Sequence, residues 1–394
     1  MPHAVIVDAV RTPMGRGKPG GALSGVHAVD LLAGTLAALT ARTGVDPGDV
    51  EDVLVGCVSQ AGEQSATPGR QALLAAGFPE HVPSVTIERK CGSGQQAVDF
   101  AVQGIVAGAY EVVIAAGLES MSRVPMGSAR MGADPHGPTV RARYPRLVPQ
   151  GLSAELVALR WKLDRVQLDE YAAASHARAA AVADSGGFDA EIVPVAVAGG
   201  DVLARDESIR RGTTPERLAE LAPAFDTEAN RALLPEIDEW RITAGNASQI
   251  TDGAGALLIM SESAARAAGL RPRARIVASA VVGDDPLLML TGPIPATHKV
   301  LAAAGMSLRD IDAVEVNEAF ASVPLAWQAE FGVPDEILNP CGGAIALGHP
   351  LGASGVRIMT TLIHHLERTG GRYGLQTMCE AGGMANATII ERLD

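Results

Sequence analysis

Residues Glu88–Gly94 read ERKCGSG, and they join a strand-like run, Pro83–Glu88, to a helical run, Gly94–Ala107. Similar alternation surrounds this turn. Strand-like runs occur at His3–Val10, Asp52–Cys57 and Glu111–Leu118, and a helical run at Ala28–Arg42. Alternation at this spacing predicts βαβ units and a mostly parallel sheet that is buried on both faces. The chain is therefore expected to adopt an α/β fold.

The last third of the chain repeats the pattern of the first. A second Ser-Gly turn, in the segment Gly342–Gly355 (GGAIALGHPLGASG), follows the first at an offset of 261 residues. The same offset relates residues 44–55 to 305–316, and residues 113–117 to 374–378. A constant offset at three separate anchors predicts an internal duplication that places the two turns at equivalent positions.

The middle of the chain breaks the alternation. It holds a stretch rich in Pro, Gly and Arg (residues 123–150), two helical stretches (153–161 and 167–183) and irregular chain. Because this part is not repeated, we expect an insertion that carries substrate-binding surface. The interpretation gives an N-terminal core domain (1–120 with about 250–270), an inserted loop domain (121–249) and a C-terminal core domain (271–394).

Composition excludes several classes of function. The 394 residues include 32 Lys and Arg against 45 Asp and Glu, a net charge of −13, which argues against nucleic-acid binding. Apolar runs such as Leu31–Leu39 are too short to span a membrane, and no signal-like segment opens the chain. The four cysteines are dispersed without a CxxC pair, so we expect no metal site, no disulfide framework and a cytoplasmic location.

Cys91 and His349 occupy the two matched turns. Cys91 stands at a helix N-terminus, where free N–H groups favour a thiolate. It is a candidate nucleophile, with an inert buried thiol as the alternative. The equivalent turns of a duplicated sheet lie near its pseudo-axis, so His349 is expected close to Cys91, as a base that activates the thiol.

Two further segments carry polar side chains at strand ends. Residues 378–384 (MCEAGGM) place Cys379 before a Gly-Gly turn whose N–H groups could face an oxyanion. Residues 316–320 (VNEAF) place Asn317 after a strand, where it holds a water, donates a hydrogen bond or caps the next helix. Cys57 and Cys341 are interpreted as packing residues, and His364-His365 as a solvated helix end.

These four segments, in this order and spacing, resemble the active-site blocks of the thiolase family, and the resemblance runs nearly end to end. Residues 117–122 (GLESMS), 151–155 (GLSAE) and 243–248 (TAGNAS) match further signatures of that family. The resemblance implies a duplicated βαβαβαββ fold, with two similar core domains of layered helices and mixed sheets. It also implies that the inserted loop domain (121–249) serves CoA binding and subunit contacts.

The resemblance also implies roles for individual residues. Cys91 would be the acylated nucleophile, His349 its base, and Cys379 the acid/base for the α-proton. Asn317, through a water, and His349 would form one oxyanion hole, and the N–H groups of Cys91 and Ala381 the other. Three residues would contact the substrate: Ser248 at the pantetheine arm, with Phe320 and Met289. Neither a metal nor a cofactor is implied, because CoA and acyl-CoA are substrates.

The implied activity is reversible, CoA-dependent cleavage of 3-ketoacyl-CoA through an acyl-Cys91 intermediate, or the reverse Claisen condensation of acetyl-CoA. Such an acyltransferase would serve fatty acid metabolism, including β-oxidation, as a homodimer or homotetramer. One alternative is a ketoacyl synthase-like condensing enzyme, although a second reactive cysteine, Cys379, argues against it. Another is a catalytically silent lipid-binding protein of the same fold.

Four features depart from the family pattern or leave a question open. Ala381 replaces a glycine, which would strain the second oxyanion hole if φ were positive there. Leu290 replaces a small residue, and the linker between Phe225 and Thr243 is long, so the size of the acyl group stays open. Five arginines are either a phosphate patch for CoA or part of a subunit-contact loop: Arg123, Arg130, Arg141, Arg143 and Arg146.

Overall fold

The structure, a computed structural model, describes residues 3–393. Its strands are β1 (Ala4–Arg11), β2 (Gly15–Arg16), β3 (Asp52–Gly56), β4 (Ser84–Ile87), β5 (Val112–Ser120), β6 (Val195–Ala196), β7 (Val202–Leu203), β8 (Thr251–Ser261), β9 (Ala274–Gly283), β10 (Ala313–Val316), β11 (Tyr373–Glu380) and β12 (Met384–Arg392). Its α-helices are α1 (Ala28–Thr43), α2 (Pro68–Ala75), α3 (Ser93–Val106), α4 (Gly137–Arg143), α5 (Gln150–Arg160), α6 (Arg165–Asp184), α7 (Pro215–Ala219), α8 (Glu228–Leu233), α9 (Glu262–Ala267), α10 (Pro293–Ala304), α11 (Ser322–Phe331), α12 (Ala344–Leu347) and α13 (Ser354–Thr369).

One mixed sheet forms the centre of the molecule. Its strand order is β10-β11-β12-β9-β1-β8-β5-β3-β4, with β2 paired to β8. Among the strands of residues 3–393, only the pairs β3/β4, β3/β5 and β10/β11 are parallel. The prediction of a mostly parallel sheet is therefore wrong, whereas the mixed sheet implied by the family resemblance is confirmed. The error has a physical cause. Strands β1 and β8 are buried along their whole length, and such strands read as continuous apolar runs whatever their direction.

The sheet consists of two equivalent halves that meet at β1 and β9. That junction is short, with only Val5 opposite Arg275 and Ile6 opposite Ala274. Three elements of the first half begin 261 residues before their counterparts. The pairs are β3 and β10, α3 and α13, and β5 and β11. The duplication predicted from the sequence is therefore present element by element.

Helices α3 and α13 pack directly against each other at glycines. A Cβ added at Gly355 would lie 2.2 Å from the backbone nitrogen of Gln95, and one at Gly94 would lie 2.7 Å from the carbonyl oxygen of Gly352. Side chains of both helices, including Ala97 and Met359, belong to one buried cluster. Because backbone meets backbone here, the turns that precede the two helices are brought together.

The residues between β5 and β8 fold outside the main sheet, into α4 to α8 and the small β6–β7 hairpin. Helix α6 begins at a capping box formed by Asp164 and Gln167. An apolar cluster joins α5 to the linker around Ile237 and Trp240. The division into three domains stays an interpretation. No helix within residues 3–393 is long and apolar enough to cross a membrane.

Candidate active site

Cys91 lies in a tight turn between β4 and α3. Lys90 adopts a left-handed conformation, with φ at 49°, and α3 begins two residues after the cysteine, at Ser93. The Ser93 hydroxyl fixes this turn, because its Oγ accepts a hydrogen bond from the N–H of Arg89 (2.8 Å) and donates one to the carbonyl of Lys90 (2.6 Å). Cys91 is only 4% exposed. The sequence therefore presents a thiol at a rigid, enclosed position.

Burial decides the ionisation of Cys91. The pKa of the thiol is raised to about 12, mainly by burial and next by the charge of Glu380, while the cysteine's own N–H and Lys90 act in the opposite direction. The expectation that the helix N-terminus favours a resting thiolate is wrong, because desolvation outweighs the backbone groups. Cys91 is a thiol until a base removes its proton.

His349 has a fixed tautomer. Its Nδ1 lies 2.6 Å from the Ser354 hydroxyl, and that hydroxyl donates its single proton to the carbonyl of Pro350 (2.8 Å). Nδ1 must therefore carry the hydrogen, which leaves the lone pair on Nε2. Burial, with the charge of Arg357, lowers the pKa of His349 to about 3, so the imidazole is neutral. The histidine is thus prepared to accept a proton at Nε2.

Asn317 and Cys379 complete the group. The Asn317 side-chain nitrogen lies 3.5 Å from His349 Nε2, and its side chain also hydrogen-bonds Cys379. Helix α11 begins only at Ser322, so the alternative in which Asn317 caps the next helix is wrong. Burial raises the pKa of Cys379, and the charge of Cys91 does so next, which places the two thiols in one electrostatic environment. Cys91 also shares an apolar cluster with Leu351, two residues after His349.

Ala381 fits its turn without strain. The positive φ angles of the turn between β11 and β12 fall at Gly382 (95°) and Gly383 (77°), not at the alanine. Gly383 has a close neighbour, since an added Cβ would lie 2.8 Å from the carbonyl of Asp284, whose own N–H donates to Gly383 (2.7 Å). Alanine at position 381 is therefore compatible with the backbone conformation of this turn, and its N–H group remains available to bind an oxyanion.

The residues assigned to the substrate lie beside these groups. Ser248 donates its N–H to the carbonyl of Ala319 (3.0 Å), and Ala247 forms an isolated bridge with Phe320. Residues 243–248 are therefore docked on residues 316–320. Met289 is buried in the same apolar cluster as Cys379 and has a left-handed backbone, with φ at 55°. Such a conformation is costly for a non-glycine residue and occurs where surrounding structure enforces it.

The long linker and the loop before Leu290 form one wall. Leu287 and Leu288 pack against an apolar cluster that includes Leu234, Ile237 and Trp240. The Leu287 carbonyl also accepts a hydrogen bond from Ser153 Oγ (2.7 Å). The linker thus packs against the residues that precede Leu290, whereas Leu290 itself lies in the apolar cluster of Met289 and Cys379.

Most of the five arginines considered for CoA are paired. Arg123 is bound to Glu63, Arg141 to Asp134 and Arg146 to Glu236. The guanidinium of Arg143 lies over the Tyr144 ring, 5.5 Å from its centroid. The net positive charge available to a phosphate is therefore smaller than the sequence suggested.

Sequence reasoning missed several supporting residues. Glu119, inside the GLESMS segment, accepts hydrogen bonds from the N–H groups of Val58 (3.0 Å) and Gly352 (2.9 Å) and so ties the two halves together. Ser354 was visible only as a match to Ser93. His364 is buried and contacts Arg273 (3.2 Å), so its interpretation as part of a solvated helix end is wrong. Within residues 3–393, no group of three or more His, Cys, Asp or Glu side chains could hold a metal ion.

Comparisons with known proteins agree on one family. The model for the thiolase N-terminal domain matches residues 4–263, and that for the thiolase C-terminal domain matches residues 270–392. The chain is 46% identical to the steroid 3-ketoacyl-CoA thiolase FadA6 of Mycobacterium tuberculosis, with 100% of this chain and 95% of the relative aligned. It is 44% identical to the 3-ketoacyl-CoA thiolase of Salmonella typhimurium over the full length of both.

Solved structures give the same picture. The Bacillus anthracis acetyl-CoA acetyltransferase superposes with a TM-score of 0.89 at 39% identity, covering 100% of this chain and 99% of the other. The human mitochondrial 3-ketoacyl-CoA thiolase superposes with a TM-score of 0.88 at 37% identity and the same coverage.

Proposed function

The chain belongs to the thiolase family, and from that premise we propose that Cys91, His349, Cys379 and Asn317 perform the chemistry of its reaction. It is an acyltransferase that cleaves 3-ketoacyl-CoA thioesters with CoA. The observation that carries the assignment of residues is the tautomer of His349. Its basic Nε2 faces Asn317, and Asn317 in turn hydrogen-bonds Cys379.

The first half-reaction breaks the bond between C2 and C3 of the substrate. His349 Nε2 takes the proton of the Cys91 thiol while the sulfur attacks the C3 carbonyl, and acetyl-CoA leaves as an enolate that Cys379 protonates at C2. The protonated Nε2 of His349 and Asn317, through a water, stabilise the enolate oxygen. The N–H groups of Cys91 and Ala381 stabilise the oxygen on C3.

The second half-reaction returns every proton. CoA gives its thiol proton to the Cys379 thiolate and attacks acyl-Cys91. The departing Cys91 sulfur then recovers its proton from His349, and the shortened acyl-CoA leaves. Two half-reactions through one covalent intermediate give ping-pong kinetics. Both thiols are un-ionised at rest because burial raises the pKa of each, so each thiolate forms only within a step.

The variant Cys379→Ser tests this division of roles. We expect it to transfer the acetyl group of acetyl-CoA to Cys91, visible as an acetylated Cys91 peptide by mass spectrometry, while condensation and cleavage fall about 100-fold or more. Cys341→Ser is the matched control, a buried cysteine outside the site that should leave turnover near normal. Absence of acetylated Cys91 in Cys379→Ser would contradict the assignment.

We further propose that the wall formed by residues 234–240 and 287–290 bounds the acyl pocket. The packing of Leu287 and Leu288 against the apolar cluster that contains Trp240 supports this. Values of kcat/KM across 3-ketoacyl-CoAs of increasing size, beginning with acetoacetyl-CoA, test it. A maximum at acetoacetyl-CoA would identify an acetyltransferase, and a maximum at longer or bulkier chains a degradative thiolase.

A homodimer or homotetramer in the cytoplasm is also proposed. Edge strand β4 leaves Val85 exposed, and Phe100 of α3 is exposed as well, which supports contact with a second copy. All four cysteines are free, which fits a reducing compartment. Light scattering of the purified chain measures the assembly, and a monomeric mass would overturn that part of the proposal.

A further inference from the structure

Glu380 is a buried acidic residue that follows Cys379 in the chain and lies against Gly92, the residue after Cys91. It lies at the end of β11, is completely buried, and neither of its side-chain oxygens has a hydrogen-bond partner within the described chain. A Cβ added at Gly92, the residue after Cys91, would lie 2.0 Å from Glu380 Oε1 and 2.8 Å from its carboxyl carbon. Glycine at position 92 therefore lets the carboxylate approach the nucleophile turn closely.

The surroundings of Glu380 are polar and incompletely paired. Asn386 of β12 donates to the Gly92 carbonyl (3.1 Å), yet its Oδ1 has no partner in the described chain. Asp99 of α3 accepts from the Thr388 hydroxyl (3.0 Å), and its other oxygen is also unpartnered. Arg89 is the cation that most strongly counters Glu380, and its buried Nε lacks a hydrogen bond. The carboxylate is thus held by electrostatics rather than by hydrogen bonds.

We propose that Glu380 is a positioning residue that controls the ionisation of Cys91, permitting the thiolate when its carboxyl group is neutral and opposing it when the group is charged. The proposal rests on the assignment of Cys91 as the nucleophile. The acyl-transfer steps described above do not use this carboxyl group. Its expected effect is to make the ionisation of Cys91 depend on pH through the charge of Glu380.

The direction of that dependence follows from the charges that face Glu380. The pKa of Glu380 is raised to about 8, mainly by burial; Arg89 opposes this shift, and Asp99 and Glu88 add to it. The charge of Glu380 is, after burial, the next cause that raises the pKa of Cys91, whereas Lys90 lowers it. Glu380 is therefore mostly neutral below about pH 8, and above it the carboxylate suppresses the thiolate.

Alkylation of Cys91 by iodoacetamide, without any CoA ester, tests the proposal. The labelling rate of the Cys91 peptide is followed by mass spectrometry from pH 6.5 to 9.5 in the native protein and in Glu380→Gln. We expect the ratio of variant to native rates to lie within about threefold of unity at pH 6.5 and to reach about tenfold at pH 9. Labelling of Cys341 in the same samples is the internal control and should not change.

Two further variants separate this role from a structural one. Glu88→Gln removes an exposed carboxylate that raises the pKa of Glu380 less than Asp99 does, so the pH at which the Glu380 carboxylate begins to suppress labelling should move downward by a smaller amount than in Asp99→Asn. Asp99→Asn removes a charge that raises the pKa of Glu380. In this variant, the pH at which the Glu380 carboxylate begins to suppress labelling of Cys91 should therefore be lower than in the native protein. It also supplies the test if Glu380→Gln does not fold.

A Glu380→Gln ratio that is constant with pH, or a parallel change at Cys341, would overturn the proposal. An unchanged pH response in Asp99→Asn would do the same. Because alkylation needs no turnover, these outcomes are separate from a failure of Cys91 as nucleophile, which would appear as activity retained in Cys91→Ala.

Discussion

The two matched turns of the duplicated core use one serine for two purposes. Ser93 and Ser354 each open the equivalent helix, and each donates its hydroxyl proton to a carbonyl just before it, at 2.6 and 2.8 Å. In the first half, the Ser93 oxygen accepts a hydrogen bond from the backbone N–H of Arg89. In the second half, the Ser354 oxygen accepts a hydrogen bond from Nδ1–H of His349. The equivalent serine thus fixes the backbone of the nucleophile turn in the first half and the tautomer of His349 in the second.

The offset of 261 residues shows how the chemistry is divided. Cys91 stands where the second half has Gly352, and His349 stands where the first half has Glu88. Each half of the core carries one of the two reactive groups and lacks the other. The contact of α3 with α13 brings the turns of Cys91 and His349 together. Duplication therefore builds a site of complementary halves, in which structural positions remain alike and reactive positions differ.

The largest expected effect breaks that complementarity. His349→Ala removes the base of the second turn and should lower kcat/KM about 1,000-fold or more, while Glu88→Ala, at the equivalent position of the first turn, should change it less than about threefold. Steady-state thiolysis of a 3-ketoacyl-CoA measures both. Comparable losses in the two variants would show that the halves do not divide the chemistry as described.

Most of the scaffold of this comparison is readable from the sequence. Both halves of the core need the same turns and strands, and the sequence shows them directly. They are visible in the matched Ser-Gly pairs, in the strand-like runs and in the equal spacing of residues 44–55 and 305–316. Strand direction is not readable in the same way, because β1 and β8 are buried on both faces and lack a period-two pattern. The turns were thus predictable, whereas the strand order between them was not.

Ionisation in the site also required the structure. The helix N-terminus at Cys91 is a local feature, and it suggested a stabilised thiolate. Burial is a tertiary property, and together with Glu380 it raises the pKa of the thiol instead. The position of Ala381 shows the converse, since the turn places its left-handed residues at Gly382 and Gly383 and tolerates the alanine.

A smaller effect sharpens the comparison of the two serines. Ser354→Ala should lower kcat/KM about 10- to 100-fold, because Nδ1 of His349 loses its acceptor and the tautomer is no longer fixed. Ser354→Thr, which keeps a hydroxyl, should recover most of the activity. Ser93→Ala should act mainly on stability, at about 1–3 kcal/mol, since the N–H of Arg89 loses its partner.

Thermal unfolding and steady-state kinetics on the same preparations separate the two serine effects. The expected pattern is a loss of turnover with little change of Tm for Ser354→Ala, and a lower Tm with smaller kinetic loss for Ser93→Ala. An exchange of these patterns would mean that the Ser354 hydroxyl holds the backbone and not the imidazole.

The smallest expected effect concerns two structural positions that should have the same role in both halves of the core. Gly44 and Gly305 end the equivalent helices α1 and α10 in left-handed conformations, with φ at 70° and 64°, and an added Cβ would meet no atom within 4 Å at either. Only backbone strain then opposes alanine, so Gly44→Ala and Gly305→Ala should each destabilise the fold by about 1 kcal/mol. Urea unfolding of both variants measures the costs, which should agree within about 0.5 kcal/mol. A clearly larger cost at one glycine would mean that the halves differ in how tightly their helix ends are held, and not only in the residues that react.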